Sequence, residues 1–215
     1  MDWNAIETVL LDMDGTLLDK AFDDHFYLEA LPERYAAARG LSVEAARERL
    51  IGLYRAAEGR LDWTDLDYWT RTLALDVHAA KDALRHRIAP HPDSLTFLGF
   101  IRARNIPVHL VTNAHPKSLA IKMAQTGLDK HLDRIVTAFD VGCLKSSVAY
   151  WVRTEEILGF NPATTLFVDD DEAALISADA HGIAHLYLRS KPSTAAPASP
   201  SATYPSIESF HALMR

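Results

Sequence analysis

The sequence predicts an α/β protein: a parallel sheet flanked by helices, with an all-helical cap inserted after the first strand. Three observations predict it. Short, wholly apolar runs recur along the chain, as expected of strands buried on both faces of a parallel sheet. Helical patterns separate most of them, the alternation that builds an open sheet covered on both sides. One stretch, from about residue 20 to residue 89, breaks the alternation and reads as helices alone.

The first apolar run is Thr8-Val9-Leu10-Leu11, which leads directly into Asp12. Pro107 to Thr112, Arg134 to Thr137, Thr165 to Asp169 and Ile183 to Leu188 have the same character. Between them, Asp93 to Arg104 carries Leu95, Leu98 and Ile101 at helical spacing, and Ser118 to Gln125 follows the second strand. Ser147 to Leu158 and Glu172 to His181 fill the later gaps, the last stopped by Gly182 as helix ends commonly are. The helical stretch divides into Phe22 to Arg39, Ser42 to Ala57 and Thr64 to Leu75. Ser42 reads as an N-cap, and Val43, Ala46, Leu50 and Leu53 form one apolar stripe. Pro90-His91-Pro92 marks the return to the core. The expected organisation is a core of residues 1–19 and 90–215 with a cap of residues 20–89. Ser190 to Ser206, rich in Ser, Ala and Pro, reads as an irregular surface loop.

With 215 residues, 48% of them hydrophobic, the chain can bury a core without metal or disulfide staples. A formal charge of −7 leaves no basic surplus for binding a nucleic-acid backbone, whereas a small anion can still be held where a bound cation reverses the local field. The single cysteine, Cys143, allows no intramolecular disulfide. Together with the absence of a signal-peptide pattern or a membrane-length apolar run, it makes the cytoplasm the expected location.

Function follows from where the strands end. Ligands of open parallel sheets bind beyond the strand carboxyl ends. Asp12, Thr112 and Asp169 fall at such ends, and Lys145 lies in the loop after the third strand. Asp12 and Asp14 flank one residue beside Gly15, which permits a sharp turn. Two carboxylates there suit a hard cation with oxygen ligands, above all Mg²⁺. Equally, one carboxylate can attack phosphorus while the other exchanges protons with the leaving group and water.

Asp12-Met13-Asp14-Gly15-Thr16 resembles the first motif of the haloacid dehalogenase superfamily of phosphohydrolases, whose core is Rossmann-like. Thr112 resembles the second motif, Lys145 the third, and Asp169-Asp170 the acidic fourth, and the helical insertion resembles the family's helical cap. The resemblance implies Asp12 as covalent nucleophile and Asp14 as general acid/base that also offers its backbone carbonyl to the metal. It implies Thr112 and Lys145 as partners of the transferring phosphoryl group, and Asp169 and Asp170 as completing the Mg²⁺ site. Asn113, directly after Thr112, is a further candidate for contact with phosphate. Two departures stand out: Ala174 and Leu175 occupy positions where the fourth motif often has another Asp or Asn, and Leu144 and Ser146 flank Lys145 where Pro is usual. Asp171 can then support the metal shell.

Val9 to Asp19, Leu66-Asp67-Tyr68-Trp69, Leu110 to Pro116 and Lys122 to Leu132 further resemble the GMP/IMP nucleotidase branch of that superfamily. This implies a purine 5′-nucleoside monophosphate as substrate. Trp63, Tyr68 and Trp69 can stack on a purine or pack within the cap. His25 is a candidate site residue or a packing histidine. The alternatives are a phosphatase or phosphomutase acting on a phosphosugar or similar metabolite, a phospho-acceptor signalling domain, and a silent phosphate-binding protein. The helical insertion after Asp14 argues against the signalling domain.

Overall fold

The computed structural model describes residues 1–215. Its centre is a six-stranded, all-parallel sheet of β1 (Thr8–Leu11), β2 (Val108–Thr112), β3 (Arg134–Thr137), β4 (Thr165–Asp169), β5 (His185–Arg189) and β6 (Ser206–Ile207), in the order β3-β2-β1-β4-β5-β6. Because β1 lies between β2 and β4, the residue that follows it stands in the middle of the carboxyl edge. Register places Leu11 beside Leu110 and Val168, so the ends of β1, β2 and β4 lie at one level.

Side chains alternate across β1. Val9 and Leu11 join a cluster with Leu110, Val168, Phe97 and Ile121; Leu10 joins one with Val111, Phe167, Trp151 and Leu175. Each fully buried aliphatic side chain contributes roughly 1.5–3 kcal/mol relative to exposure, which is why the middles of these runs are mostly aliphatic. On the first face lie α6 (Ser94–Arg102) and α7 (Pro116–Thr126); on the second lie α9 (Val148–Leu158) and α10 (Glu172–His181), with α8 (Ala138–Val141) as a short turn after β3.

Between β1 and α6 the chain forms α1 (Ala21–His25), α2 (Leu31–Arg39), α3 (Val43–Ala57), α4 (Leu66–Leu73) and α5 (Val77–Asp82). These enclose a hydrophobic cluster of their own, including Phe26, Leu50, Tyr54, Leu66, Trp69 and Ala80. Ser42 caps α3 by accepting from Ala45 N–H at 3.2 Å. The continuous helix expected from Phe22 to Arg39 is interrupted by a π-turn at Phe26–Ala30. Pro32 has no N–H to return to the carbonyl of Leu28, and a widened turn absorbs the mismatch. The helix expected through Leu75 stops at Leu73, because Ala74 adopts φ 47°.

Two chain crossings join insertion and core. Asp19 N–H donates to Ala89 carbonyl at 3.0 Å and His91 N–H to Leu17 carbonyl at 2.9 Å. The Ser/Ala/Pro-rich segment packs against these crossings more than its composition implies. Ser190 and Ser193 are buried, and Lys20 N–H donates to Pro192 carbonyl at 2.9 Å. Its end forms β6 rather than loop, and β5 starts at His185, Ile183 being buried in the preceding turn. No helix is long and apolar enough to cross a membrane.

Candidate active site

Asp12 leaves β1 with its N–H bonded to Val168 carbonyl at 3.0 Å, which fixes its carboxylate beside the ends of β2 and β4. The turn beyond it needs Gly15. That residue has φ +95°, and a Cβ there would sit 2.5 Å from an Asp170 carboxylate oxygen. Thr112 ends β2 with its hydroxyl oxygen accepting from Ala114 N–H at 3.0 Å, which leaves its O–H free to donate. Lys145 reaches the same point from the loop after β3.

The Lys145 ammonium is buried and donates to Asp12 Oδ1 and, at 2.6 Å, to Asp169 Oδ2. Burial works against its charge, but the two carboxylates overcome it and hold the amine above its ordinary value. Its backbone is held as firmly: Lys145 N–H donates to Asn113 Oδ1 at 2.9 Å, and Trp151 Nε1–H to Lys145 carbonyl at 3.0 Å. Asn113 lines the cavity, but its side-chain oxygen is committed to this loop and not to a ligand.

Acidic groups crowd the remainder. Asp169 spends its second oxygen on Asp171 N–H at 2.9 Å; burial raises its pKa well above the carboxylate range, with Asp12 and Asp170 adding to it. Asp170 accepts from Lys20 at 2.9 Å through one oxygen, and burial pushes it up to about 6. Asp12 Oδ2 is buried without any hydrogen-bond partner. Oxygens of Asp12, Asp169 and Asp170 lie within 4.8 Å of one another, so an orphaned carboxylate faces an all-oxygen, charge-deficient cluster. That donor set fits Mg²⁺, with Asp12 and Asp170 offering uncommitted oxygens. Asp171 accepts from Ala173 N–H as the N-cap of α10, which is its role here.

Asp14 faces the same cavity from the other side. Burial raises its pKa, against Lys122, whose ammonium donates to Asp14 Oδ1 at 2.6 Å. The cavity, of about 370 Å³, has a polar floor on the sheet edge and a wall from the helical insertion that includes Tyr27, Leu28, Tyr54 and Trp63. Its size is that of a small-molecule site.

Asp12, Asp14, Thr112, Asn113, Lys145, Asp169 and Asp170 thus all line one cavity. His25 does not: its ring bonds Glu29 at 2.8 Å, on the far side of the turn from Tyr27. Of the three aromatics singled out in the sequence, Trp69 is buried, lines the cavity and donates to Trp63 carbonyl at 2.9 Å, while Tyr68 packs edge-on against it and is not among the lining residues. Trp63 is the most exposed of the three, at 40%. Lys20, Asp23, Tyr27, Lys81 and Lys122 also line the cavity, and nothing in local pattern singled them out.

The haloacid dehalogenase-like hydrolase family model matches residues 6–182. The chain is 35% identical over 212 residues to a GMP/IMP nucleotidase of Escherichia coli, covering 99% of this chain and 96% of that one. It is 28% identical to a phosphoglycolate phosphatase of Chromobacterium violaceum, over 86% and 85% of the two chains. Among solved structures, a HAD phosphatase from Thermococcus onnurineus shares the fold with TM-score 0.80 at 24% identity, over 97% and 96% of the two chains. With motif order, site geometry and family match in agreement, the chain belongs to the haloacid dehalogenase-like hydrolases.

Proposed function

We propose that this hydrolase, a phosphoric monoesterase, releases phosphate from purine 5′-nucleoside monophosphates through an aspartyl phosphate on Asp12. The observation that carries the chemistry is the buried, unpartnered Asp12 Oδ2, set beside Lys145 at the sheet edge. A carboxylate so placed is a fixed nucleophile, its other oxygen locked by an ammonium.

In the first step a carboxylate oxygen of Asp12 bonds to phosphorus, the ester P–O bond breaks, and the proton of Asp14 passes to the departing oxygen. In the second, water attacks the phosphorus of the acyl phosphate, gives its proton to Asp14, and the bond to Asp12 breaks to free inorganic phosphate. Lys145 and the Thr112 hydroxyl balance charge on the phosphoryl oxygens, which is most of what phosphoryl transfer requires. Asp12, the backbone of Asp14, Asp169 and Asp170 would hold Mg²⁺, which when bound neutralises carboxylates and phosphoryl oxygens together.

Two features favour a nucleotide over a compact metabolite. The 35% identical relative is a GMP/IMP nucleotidase. The cap side of the cavity carries Tyr27, Leu28, Tyr54, Trp63 and Trp69, a surface suited to a flat base, while the Lys81 ammonium beside them is paired with Asp23. Steady-state kinetics with GMP, IMP, AMP, phosphoglycolate and glucose 1-phosphate tests it. We expect kcat/KM for GMP and IMP to exceed the others; equal or higher values for phosphoglycolate or the sugar phosphate would overturn the nucleotide assignment.

A further inference from the structure

The second buried lysine of the cavity, Lys122, comes from the second turn of α7, yet its ammonium ends between the core and the helical insertion. It donates to Asp14 Oδ1 and to Asp23 Oδ2, each at 2.6 Å, and the side chain is 1% exposed. Asp23, on α1, accepts through its other oxygen from Lys81 of α5 at 2.7 Å, and Lys81 is 2% exposed. The result is a four-residue chain, Asp14–Lys122–Asp23–Lys81, that runs from the sheet edge into the insertion. The ring of Phe22 closes it from one side, 5.9 Å from the Lys122 ammonium and 5.6 Å from that of Lys81.

Such a chain is a poor way to gain stability. Burying ammonium and carboxylate groups costs several kcal/mol each, and well-packed apolar residues would hold the same surfaces as well or better. Nor is it needed to join the two parts: the backbone crossings at Asp19 and His91 do so, and Lys117 pairs with Asp67 across the same boundary at 2.5 Å. What the chain does accomplish is local. It fixes one oxygen of Asp14 and leaves the other, in a side chain 27% exposed, to the cavity.

We propose that Lys122, held in place by Asp23, is a positioning residue for proton transfer to the leaving group. It aims the Asp14 carboxyl and balances the charge Asp14 acquires as it gives up its proton. Because Asp23 belongs to the insertion, Asp14 is aimed only while the insertion lies against the sheet edge. This rests on the reading of Asp12 as nucleophile and Asp14 as acid. Asp14 would be the catalytic residue; Lys122 and Asp23 act through it.

Leaving groups separate this role from a structural one. The ribose 5′-oxygen of a nucleotide leaves as a strongly basic alkoxide unless it is protonated, whereas p-nitrophenolate leaves without a proton. The parameter to compare is kcat/KM, which covers events through P–O cleavage and is blind to later hydrolysis of the acyl phosphate. For Lys122→Met, kcat/KM for GMP should fall by about 10²-fold or more, the usual worth of general acid catalysis, while p-nitrophenyl phosphate loses less than about 5-fold. Asp23→Asn should shift the ratio of the two the same way by a smaller factor, and Lys122→Arg should recover part of the GMP activity. Retained turnover of p-nitrophenyl phosphate also reports an intact fold. Should Lys122→Met not fold, the ratio measured for Asp23→Asn decides. Equal losses on both esters, or no loss on either, overturn the proposal. Asp12→Asn distinguishes the underlying reading: it should abolish turnover of both esters, and if it does not, the nucleophile assignment fails first.

Discussion

Lys145 and Lys122 are both buried lysines bound to two carboxylates, on opposite sides of one cavity, but they belong to different kinds of structure. The side-chain partners of Lys145 and the acceptor of its N–H come from strand ends and the loops between them: Asp12 from β1, Asp169 from β4, Asn113 after β2. Lys122 instead links two layers, since Asp14 sits in the turn after β1 and Asp23 in the helical insertion. The first arrangement is anchored by the sheet itself. The second needs the insertion packed against the core for its Asp23 half. On the proposed reading, one cation serves every substrate alike, and the other distinguishes among leaving groups.

The largest expected effects lie on the rigid side. Asp12→Asn should reduce turnover of any phosphate ester by at least about 10³-fold, because the nucleophile itself is lost. Lys145→Met should cost about 10²–10³-fold and do so for GMP and p-nitrophenyl phosphate alike. It should also destabilise the protein by roughly 3–5 kcal/mol, since Asp12 and Asp169 would be buried without a counter-charge. Thermal melts with and without Mg²⁺ check this second part: added Mg²⁺ should raise the melting temperature of Lys145→Met more than that of the parent. A substrate-dependent loss for Lys145→Met would erase the contrast with Lys122.

Chelation comes next. EDTA should remove activity on both esters, and added Mg²⁺ should restore it. Asp170→Asn should raise the Mg²⁺ concentration required, because Asp170 holds an uncommitted oxygen in the cluster. An enzyme fully active in EDTA would show the acidic cluster to serve the protein alone. Gly15→Ala should act in the same direction on a smaller scale. Its Cβ would press on Asp170, and φ +95° costs an alanine on the order of 1–3 kcal/mol, so metal affinity and turnover should fall together.

The contrast also explains what the sequence could reveal. Strand ends are legible: a buried apolar run announces where the sheet stops, and the next polar residue is placed by that alone. Asp12, Thr112 and Asp169 were found so, with Lys145 added by its loop. Pairings across the boundary leave no such trace. Lys122 is separated from Asp14 by 108 residues and from Asp23 by 99, and in α7 it stands on a helix where a lysine ordinarily faces solvent. Which residues of the insertion face the cavity has a local cause. The π-turn at Phe26–Ala30 shifts the helix phase, so Tyr27 and Leu28 reach the cavity and His25 does not. Trp69 and Trp63 both line the cavity, Trp69 as a buried ring and Trp63 as an exposed one.

A third buried pair calibrates the other two, because it has no place in the cavity. Asp93 takes two hydrogen bonds from the Arg189 guanidinium, at 3.0 and 3.1 Å, and one each from Ser209 and Phe210 N–H. Burial opposes its charge, but these donors prevail and hold the carboxyl down at about 2. An unfolded Asp titrates near about 3.9, so the folded state binds fewer protons over that interval. The pair's contribution is therefore complete above about pH 4 and is lost as pH falls towards 2. The difference in stability between the parent and Asp93→Asn, followed by thermal melts, should shrink through that window and stay constant from pH 5 to 7. At neutral pH the same variant should leave the GMP to p-nitrophenyl phosphate ratio of kcat/KM unchanged. If Asp93→Asn moved that ratio as Lys122→Met is expected to, the ratio would be reporting general loss of rigidity, and the distinction between the two site lysines would collapse.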